Sequence, residues 1–91
     1  MEVSDIVESL NGRDSGKLFY VVGIADAYVL IADGKGRRME KPKRKKQKHT
    51  RFVASGHDRT AEKLRGGEKV QNSEIRRALA AFAAGTGEGG L

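Results

Sequence analysis

The sheet of this protein is predicted by residues 17–33, KLFYVVGIADAYVLIAD. Two apolar runs within it, residues 17–24 and 28–33, are rich in aromatic and β-branched side chains, which favour extended strands. The three residues between the runs interrupt the apolar pattern over the length of a hairpin connection. The segment therefore predicts an antiparallel hairpin.

Shorter segments flank this hairpin. Residues 5–10, DIVESL, are compatible with a strand or a short helix, and a cluster of turn-forming residues, NGRDSG, follows them. After the hairpin, residues 34–36, Gly-Lys-Gly, permit a tight turn, and residues 37–40 are expected to return as a strand paired with the second apolar run. Pro42 then ends the pairing, because it has no amide donor.

Residues 51–54, RFVA, are the last predicted strand. Short strands with turn signals about every ten residues are typical of a small β-barrel or sandwich. We therefore expect one mainly β unit over residues 1–54. Residues 55–71 predict a polar linker with room for one helical turn.

The clearest helix is predicted for residues 72–84, which Asn72 or Ser73 can cap and Gly85 can end. Its apolar side chains recur at helical spacing, at Ile75, Ala78, Leu79 and Phe82. This face either packs on the sheet or docks on a partner protein or second copy, with Arg76 and Arg77 adding phosphate contacts. The Gly-rich tail, residues 85–91, is expected to be disordered.

Composition limits the class of protein. A chain of 91 residues with 37% apolar and 33% charged residues has room for one domain with a small core. The absence of cysteine excludes disulfides, thiolate metal sites and a cysteine nucleophile. No run approaches the roughly 20 apolar residues of a membrane span, and the acidic start MEVSDIVESL differs from a secretory signal. A cytoplasmic protein with no membrane partner is expected.

Positive charge is concentrated in residues 37–51, RRMEKPKRKKQKHTR. Nine of these residues are Lys or Arg and one is acidic, so the block carries +8, whereas the whole chain carries +6. A dense cationic stretch beside folded structure is typical of nucleic-acid binding, since each Lys or Arg that meets a phosphate releases a counterion. We interpret the block as a basic loop held at both ends by the β unit.

The order of these motifs resembles that of the small bacterial KOW-domain RNA-binding proteins, relatives of large-subunit ribosomal proteins of archaea and eukaryotes. The matching elements are GRD (12–14), Gly16, the paired apolar runs, Asp33-Gly34, PKRKK (42–46) with His49, and LRGGEKVQNSEIRRALAAF (64–82). These motifs span nearly the whole chain; each is weak alone, and their order is specific. The Ala-rich and Gly-rich ending departs from the family pattern.

This resemblance implies an SH3-like β-barrel of about five short strands with a C-terminal α-helix. It also implies RNA binding on or near ribosomes, with ribosomal RNA or the large subunit as the partner. Together with the charge, it predicts a non-enzymatic protein that contacts the RNA backbone without a cofactor, a metal or a small-molecule substrate. The predicted RNA-binding residues are Arg13, Lys17, Arg37, Arg38, Lys41, Lys43, Arg44, Lys45, Lys46, Lys48, His49 and Arg51.

Other interpretations stay open at this point. The block could be a solvated loop that only improves solubility. Its Lys-Arg-Lys-Lys run also fits nuclear import or binding to heparin or anionic lipid, which need a eukaryotic or membrane setting. The main alternative function is a protein-interaction adaptor of the translation or transcription machinery, which uses the barrel face or the 72–84 helix. DNA compaction by basic charge is a third.

Residues 12–17, GRDSGK, superficially resemble a phosphate-binding P-loop. The spacing is one residue short and Leu18 replaces the required Ser or Thr, so nucleotide hydrolysis is rejected. The turn either brings glycine amides, Arg13 and Lys17 to an RNA phosphate, or is structural, with Asp14 accepting hydrogen bonds from backbone amides and Gly16 at positive φ. The two roles are compatible.

Aromatic and histidine side chains add few candidates. Phe19, Tyr20 and Tyr28 lie inside apolar runs and are assigned to the core. Phe52 is either buried or available to stack on a base. His49 and His57 form no helical pair and have no cysteine nearby, so we expect no metal site, and His49 is either an RNA hydrogen-bond donor or a plain loop residue.

Overall fold

The computed structural model describes residues 1–88, in which five antiparallel strands form one open sheet and two helices pack against it. The strands are β1 (Asp5–Ser9), β2 (Leu18–Ala25), β3 (Tyr28–Ala32), β4 (Lys43–Lys46) and β5 (Thr50–Ser55). The helices are α1 (Arg59–Arg65) and α2 (Asn72–Glu88), and a 3₁₀ turn at Gln47–His49 joins β4 to β5. The prediction of a mainly β protein is confirmed.

The strand order across the sheet is β4-β3-β2-β1-β5. The predicted hairpin is confirmed, because β2 and β3 pair from Tyr20 opposite Ala32 to Ala25 opposite Tyr28. A register shift between Val21 and Gly23 bends this pair. Residues 5–10, for which the sequence allows a strand or a helix, contain strand β1, which pairs with both β2 and β5.

The predicted strand at residues 37–40 is wrong, and the strand that pairs with β3 is β4, beyond Pro42. The carboxylate of Asp33 accepts hydrogen bonds from the amides of Lys35 and Arg37, both at 2.9 Å, and so folds the chain into a turn. The chain pairs with β3 only after this excursion. Pro42 lies just before β4, a position that tolerates the missing amide donor.

One face of the sheet carries both helices. Ile6 and Tyr20 of the sheet pack with Ile75 and Leu79 of α2 and with Ala61 of α1, and all five are buried. Phe82 is partly buried against the same cluster. The apolar helix face read from the sequence therefore packs on the sheet.

The other face has a second core cluster that contains only strand residues, namely Val7, Phe19, Val21, Val29 and Ile31, each 0% exposed. Five strands laid flat would place β4 and β5 about 19 Å apart. The 3₁₀ turn that joins them advances only about 8 Å. Its ends are fixed by hydrogen bonds from the Gln47 amide to the Ala27 carbonyl (2.8 Å) and from the Leu10 amide to the His49 carbonyl (3.0 Å). The sheet therefore curls around the second cluster.

Two helical boundaries differ from the sequence prediction. Within residues 55–71, predicted as a polar linker with room for one helical turn, α1 forms a seven-residue helix capped by Asp58, whose carboxylate accepts a hydrogen bond from the Ala61 amide at 2.8 Å. Helix α2 continues through residues 85–88 of the predicted disordered tail, and residues 89–91 lie outside the described residues. No helix within residues 1–88 has the length and apolar character needed to cross a membrane.

Candidate nucleic-acid interface

The prediction that residues 37–51 form one loop is wrong. The basic block consists of four structural pieces. It comprises a loop up to Pro42, strand β4, the 3₁₀ turn and the first residues of β5. The prediction failed here because four consecutive cations carry no apolar alternation, while edge strands tolerate Lys well. The cations are therefore fixed to a sheet edge in a defined register.

Strand β4 divides its four cations between the two faces of the sheet. Lys43 and Lys45 lie opposite Ile31 and Val29, and directly paired side chains share a face. Lys45 donates a hydrogen bond from Nζ to the Asn11 carbonyl at 2.9 Å, so it ties β4 to the β1–β2 turn.

Arg44 and Lys46 lie on the opposite face of β4. The Arg44 guanidinium lies 4.0 Å from the centre of the Tyr28 ring, a cation–π contact. Tyr28 is thereby covered on that side, while Arg44 itself stays exposed.

A surface groove of about 530 Å³ lies along the β3–β4 loop and the start of β4, and we call it the basic groove. Five cations and one acid line it, together with a glycine and a proline: Gly36, Arg37, Arg38, Glu40, Lys41, Pro42, Lys43 and Arg44. This composition favours a polyanion.

Arg37 is held in the basic groove by the buried carboxylate of Asp14. Both Nε and Nη2 of Arg37 lie 2.9 Å from Asp14 Oδ2, and Lys17 Nζ lies 4.0 Å from Oδ1. Asp14 comes from the β1–β2 turn, so this ion pair joins two loops that lie 23 positions apart in the chain. The sequence reading gave Asp14 a different role, as an acceptor for backbone amides.

The one acid of the basic groove is already engaged. Glu40 accepts a hydrogen bond from the Asn72 side chain, which, with a smaller contribution from Arg38, lowers the pKa of the Glu40 carboxyl. Asn72 also accepts a hydrogen bond from the Met39 amide at 2.8 Å. The side chain that the sequence assigns to helix capping therefore holds the β3–β4 loop against α2.

The other predicted RNA-binding residues lie in different settings. Arg51 pairs with Glu8 across the β1–β5 ladder. In the described part of the chain, no side-chain partner is found for Arg13, Lys41, Lys43, Lys46, Lys48 or His49. Lys35, which lies between two glycines in an exposed turn, was missed because the basic block was taken to start at Arg37.

The turn at residues 12–17 uses its amides internally. The Ser15, Gly16 and Lys17 amides donate to the carbonyls of Gly12, Ser9 and Asp14 at 3.2, 2.8 and 3.1 Å. Gly16 has a φ of 85°, as the structural interpretation predicts. The amides of this half of the turn are therefore not available to a phosphate, and Lys17, whose side chain is 61% exposed, is its cationic contribution.

Exposed aromatic surface lies away from the basic groove. Phe19 and Tyr20 are buried, as predicted, whereas Phe52 is 50% exposed. Phe52 and Phe82 line an apolar cleft of about 640 Å³ between β5 and α2. Within residues 1–88, no three His, Asp or Glu side chains are grouped so that they could hold a metal ion.

No protein-family model matches this chain, and no curated protein matches it significantly.

Proposed function

We propose that this chain is a non-enzymatic, cytoplasmic RNA-binding protein whose basic groove contacts the phosphate backbone of RNA. The single observation that carries the proposal is the lining of that groove, five cations against one acid whose carboxylate is already engaged. Each cation that neutralises a phosphate releases a counterion, so five contacts give a log–log salt slope of roughly −3.5 to −4.5.

We propose that the curled sheet is an SH3-like barrel. The strand order supports this proposal, because β1 to β4 form a meander, a 3₁₀ turn follows, and β5 returns to pair with β1. The strand-only cluster would be the barrel interior, with the helices on the outside. The β3–β4 loop then lies at a rim of the barrel, where a groove can meet a large nucleic acid.

RNA backbone, rather than base sequence, is the proposed ligand of this groove. Single-stranded bases are commonly recognised by stacking on aromatic side chains. None lines the basic groove within the described chain. The resemblance to KOW-domain proteins, which rests on the motifs quoted above, makes ribosomal RNA or the large ribosomal subunit the proposed partner.

The test removes two exposed cations of the groove without touching the anchored ones. Arg38→Gln with Lys41→Gln lowers the net charge by two, and Arg59→Gln with Lys69→Gln is the matched control outside the groove. Ribosomal RNA affinity is measured at several salt concentrations. We expect the groove variant to lose about two units of salt slope and the control to lose little.

Equal losses in the two variants would mean that RNA responds to the overall charge and not to this groove. Equal affinity of the unaltered protein for duplex DNA and ribosomal RNA would favour DNA compaction instead. Gradient fractionation of cells then checks whether the protein travels with large ribosomal subunits.

A protein-interaction adaptor is the second candidate, favoured by the apolar cleft beside Phe52. Leu79 is 8% exposed and belongs to the core, so its replacement would disturb the fold rather than test docking. Phe52→Ser is the cleaner variant, because half of that side chain is exposed. An adaptor loses partner capture in this variant and keeps its RNA affinity.

A further inference from the structure

A second groove, of about 450 Å³, adjoins the basic groove on the α2 side of the β3–β4 turn. It is lined by Lys17, Leu18, Asp33, Lys35, Gly36, Arg76, Leu79, Ala80 and Ala83. Gly36 belongs to both grooves, so the two share a boundary at this residue. A Cβ built on Gly36 would meet no atom within 4 Å, which indicates that the boundary is open to a ligand.

Three cations line this second groove. Lys17 directly precedes β2, Lys35 lies in the β3–β4 turn and Arg76 belongs to α2, so only the tertiary fold brings these cations together. Arg76 is fixed by a hydrogen bond from Nη1 to the Gly34 carbonyl at 2.7 Å. The acid of the groove, Asp33, is turned to the amides of Lys35 and Arg37.

The aliphatic part of the lining, which we call the floor of the second groove, has no counterpart in the basic groove. It consists of Leu18 and Leu79, together with two exposed alanines of α2, Ala80 and Ala83. Cations and aliphatic side chains in one groove are complementary to a nucleotide, whose phosphate is anionic and whose base and sugar have apolar faces. A bare phosphate would leave this floor uncovered.

We propose that the second groove binds one unpaired nucleotide of the RNA strand whose neighbouring phosphates occupy the basic groove. This inference rests on the proposed function. A paired base would have to leave its helix to reach the floor, which costs unstacking and unpairing energy. The preferred ligand is therefore RNA in which a single-stranded segment adjoins a folded one.

Two adjacent positions of α2 provide a matched test. Ala83→Glu places a carboxylate in the second groove, whereas Ala84→Glu makes the same change at an exposed position that is not part of the groove. Both variants change the net charge and the helix propensity equally. The probes are a blunt RNA hairpin and the same hairpin with a single-stranded extension at one end or the other.

We expect the unaltered protein and Ala84→Glu to bind an extended hairpin about tenfold more tightly than the blunt one, which is the gain expected when about 55 Å² of apolar surface is covered on the aliphatic floor. Ala83→Glu should lose this preference and keep its affinity for the blunt hairpin within about twofold of Ala84→Glu. A preference that survives in Ala83→Glu, or its absence in the unaltered protein, overturns the inference.

Lys35→Gln is the second variant, because its exposed side chain can change without loss of the turn's backbone hydrogen bonds. It should lower the salt slope by about one for the extended hairpin and leave the slope for the blunt hairpin unchanged. Equal losses of salt slope for the two probes in Lys35→Gln would contradict the second groove. If Arg38→Gln with Lys41→Gln also left binding unchanged, the proposed function itself would fail.

Discussion

Asp14→Asn separates charge from geometry in this protein, because the two predict opposite changes in RNA affinity. The variant raises the net charge from +6 by one unit, so a binding surface governed by net charge alone would bind RNA more tightly. The same variant removes the carboxylate that holds Arg37 through two contacts of 2.9 Å. If binding depends on this anchored groove, Asp14→Asn should bind RNA more weakly than the unaltered protein.

The effect on stability follows from the exposure of the pair. Hydrogen bonds to charged groups contribute about 1.5–3 kcal/mol, and exposure to water reduces this. The side chains of Asp14 and Arg37 are 12% and 31% exposed, and asparagine can still accept one hydrogen bond. We expect the free energy of unfolding to fall by about 1.5 kcal/mol, or roughly 6–12 °C in melting temperature.

The effect on RNA binding follows from the freedom that Arg37 gains. Binding must then immobilise a mobile side chain, at a cost of about 0.5–1.5 kcal/mol, which corresponds to roughly two- to twelvefold weaker affinity. Urea unfolding and RNA titration of Asp14→Asn, Arg37→Gln and the double variant give both numbers. Tighter RNA binding by Asp14→Asn would refute the anchoring argument. The argument would also fail if the stability losses of the two single variants summed to the loss of the double variant within about 0.3 kcal/mol.

Three further predictions concern the scaffold. Gly34→Ala should destabilise the protein by at least about 3 kcal/mol in urea unfolding, because φ is 78° and a Cβ would overlap the α2 backbone. Gly16→Ala, with φ of 85° and open space, should cost only about 1 kcal/mol. Burial and the charge of Asp58 raise the pKa of Tyr20 above 10.0. The contribution of the protonated Tyr20 side chain to stability is therefore full below pH 10.0 and is lost as the pH rises further. The stability difference between the unaltered protein and Tyr20→Phe should be constant below that pH and shrink above it. The hydrogen bond from Lys63, at 2.8 Å, lowers the pKa of the Glu74 carboxyl. The contribution of ionised Glu74 to stability is therefore present above the ordinary pKa of 4.5 and is lost in acid. Glu74→Gln should flatten the dependence of stability on pH below pH 4.5 and leave its shape above that pH unchanged, and equal acid profiles of the two proteins would contradict the Lys63–Glu74 pair.

Local pattern predicted the elements whose signal lies within a few residues. The hairpin over residues 17–33 and the buried face of α2 follow from strand and helix periodicity, which neighbouring side chains express directly. The prediction failed at β4, because its four cations have no periodicity. There, pairing with β3 and the turn built by Asp33 decide the structure.

The sequence by itself determined that positive charge is concentrated between the hairpin and the last strand, because charge is counted without coordinates. Only the tertiary structure decided which cations are anchored and which are exposed. Arg37 is held by Asp14 and Lys45 by the Asn11 carbonyl, whereas Lys41 stays exposed. Such contacts join residues more than 20 positions apart, and packing of the curled sheet, rather than any local pattern, sets their distances.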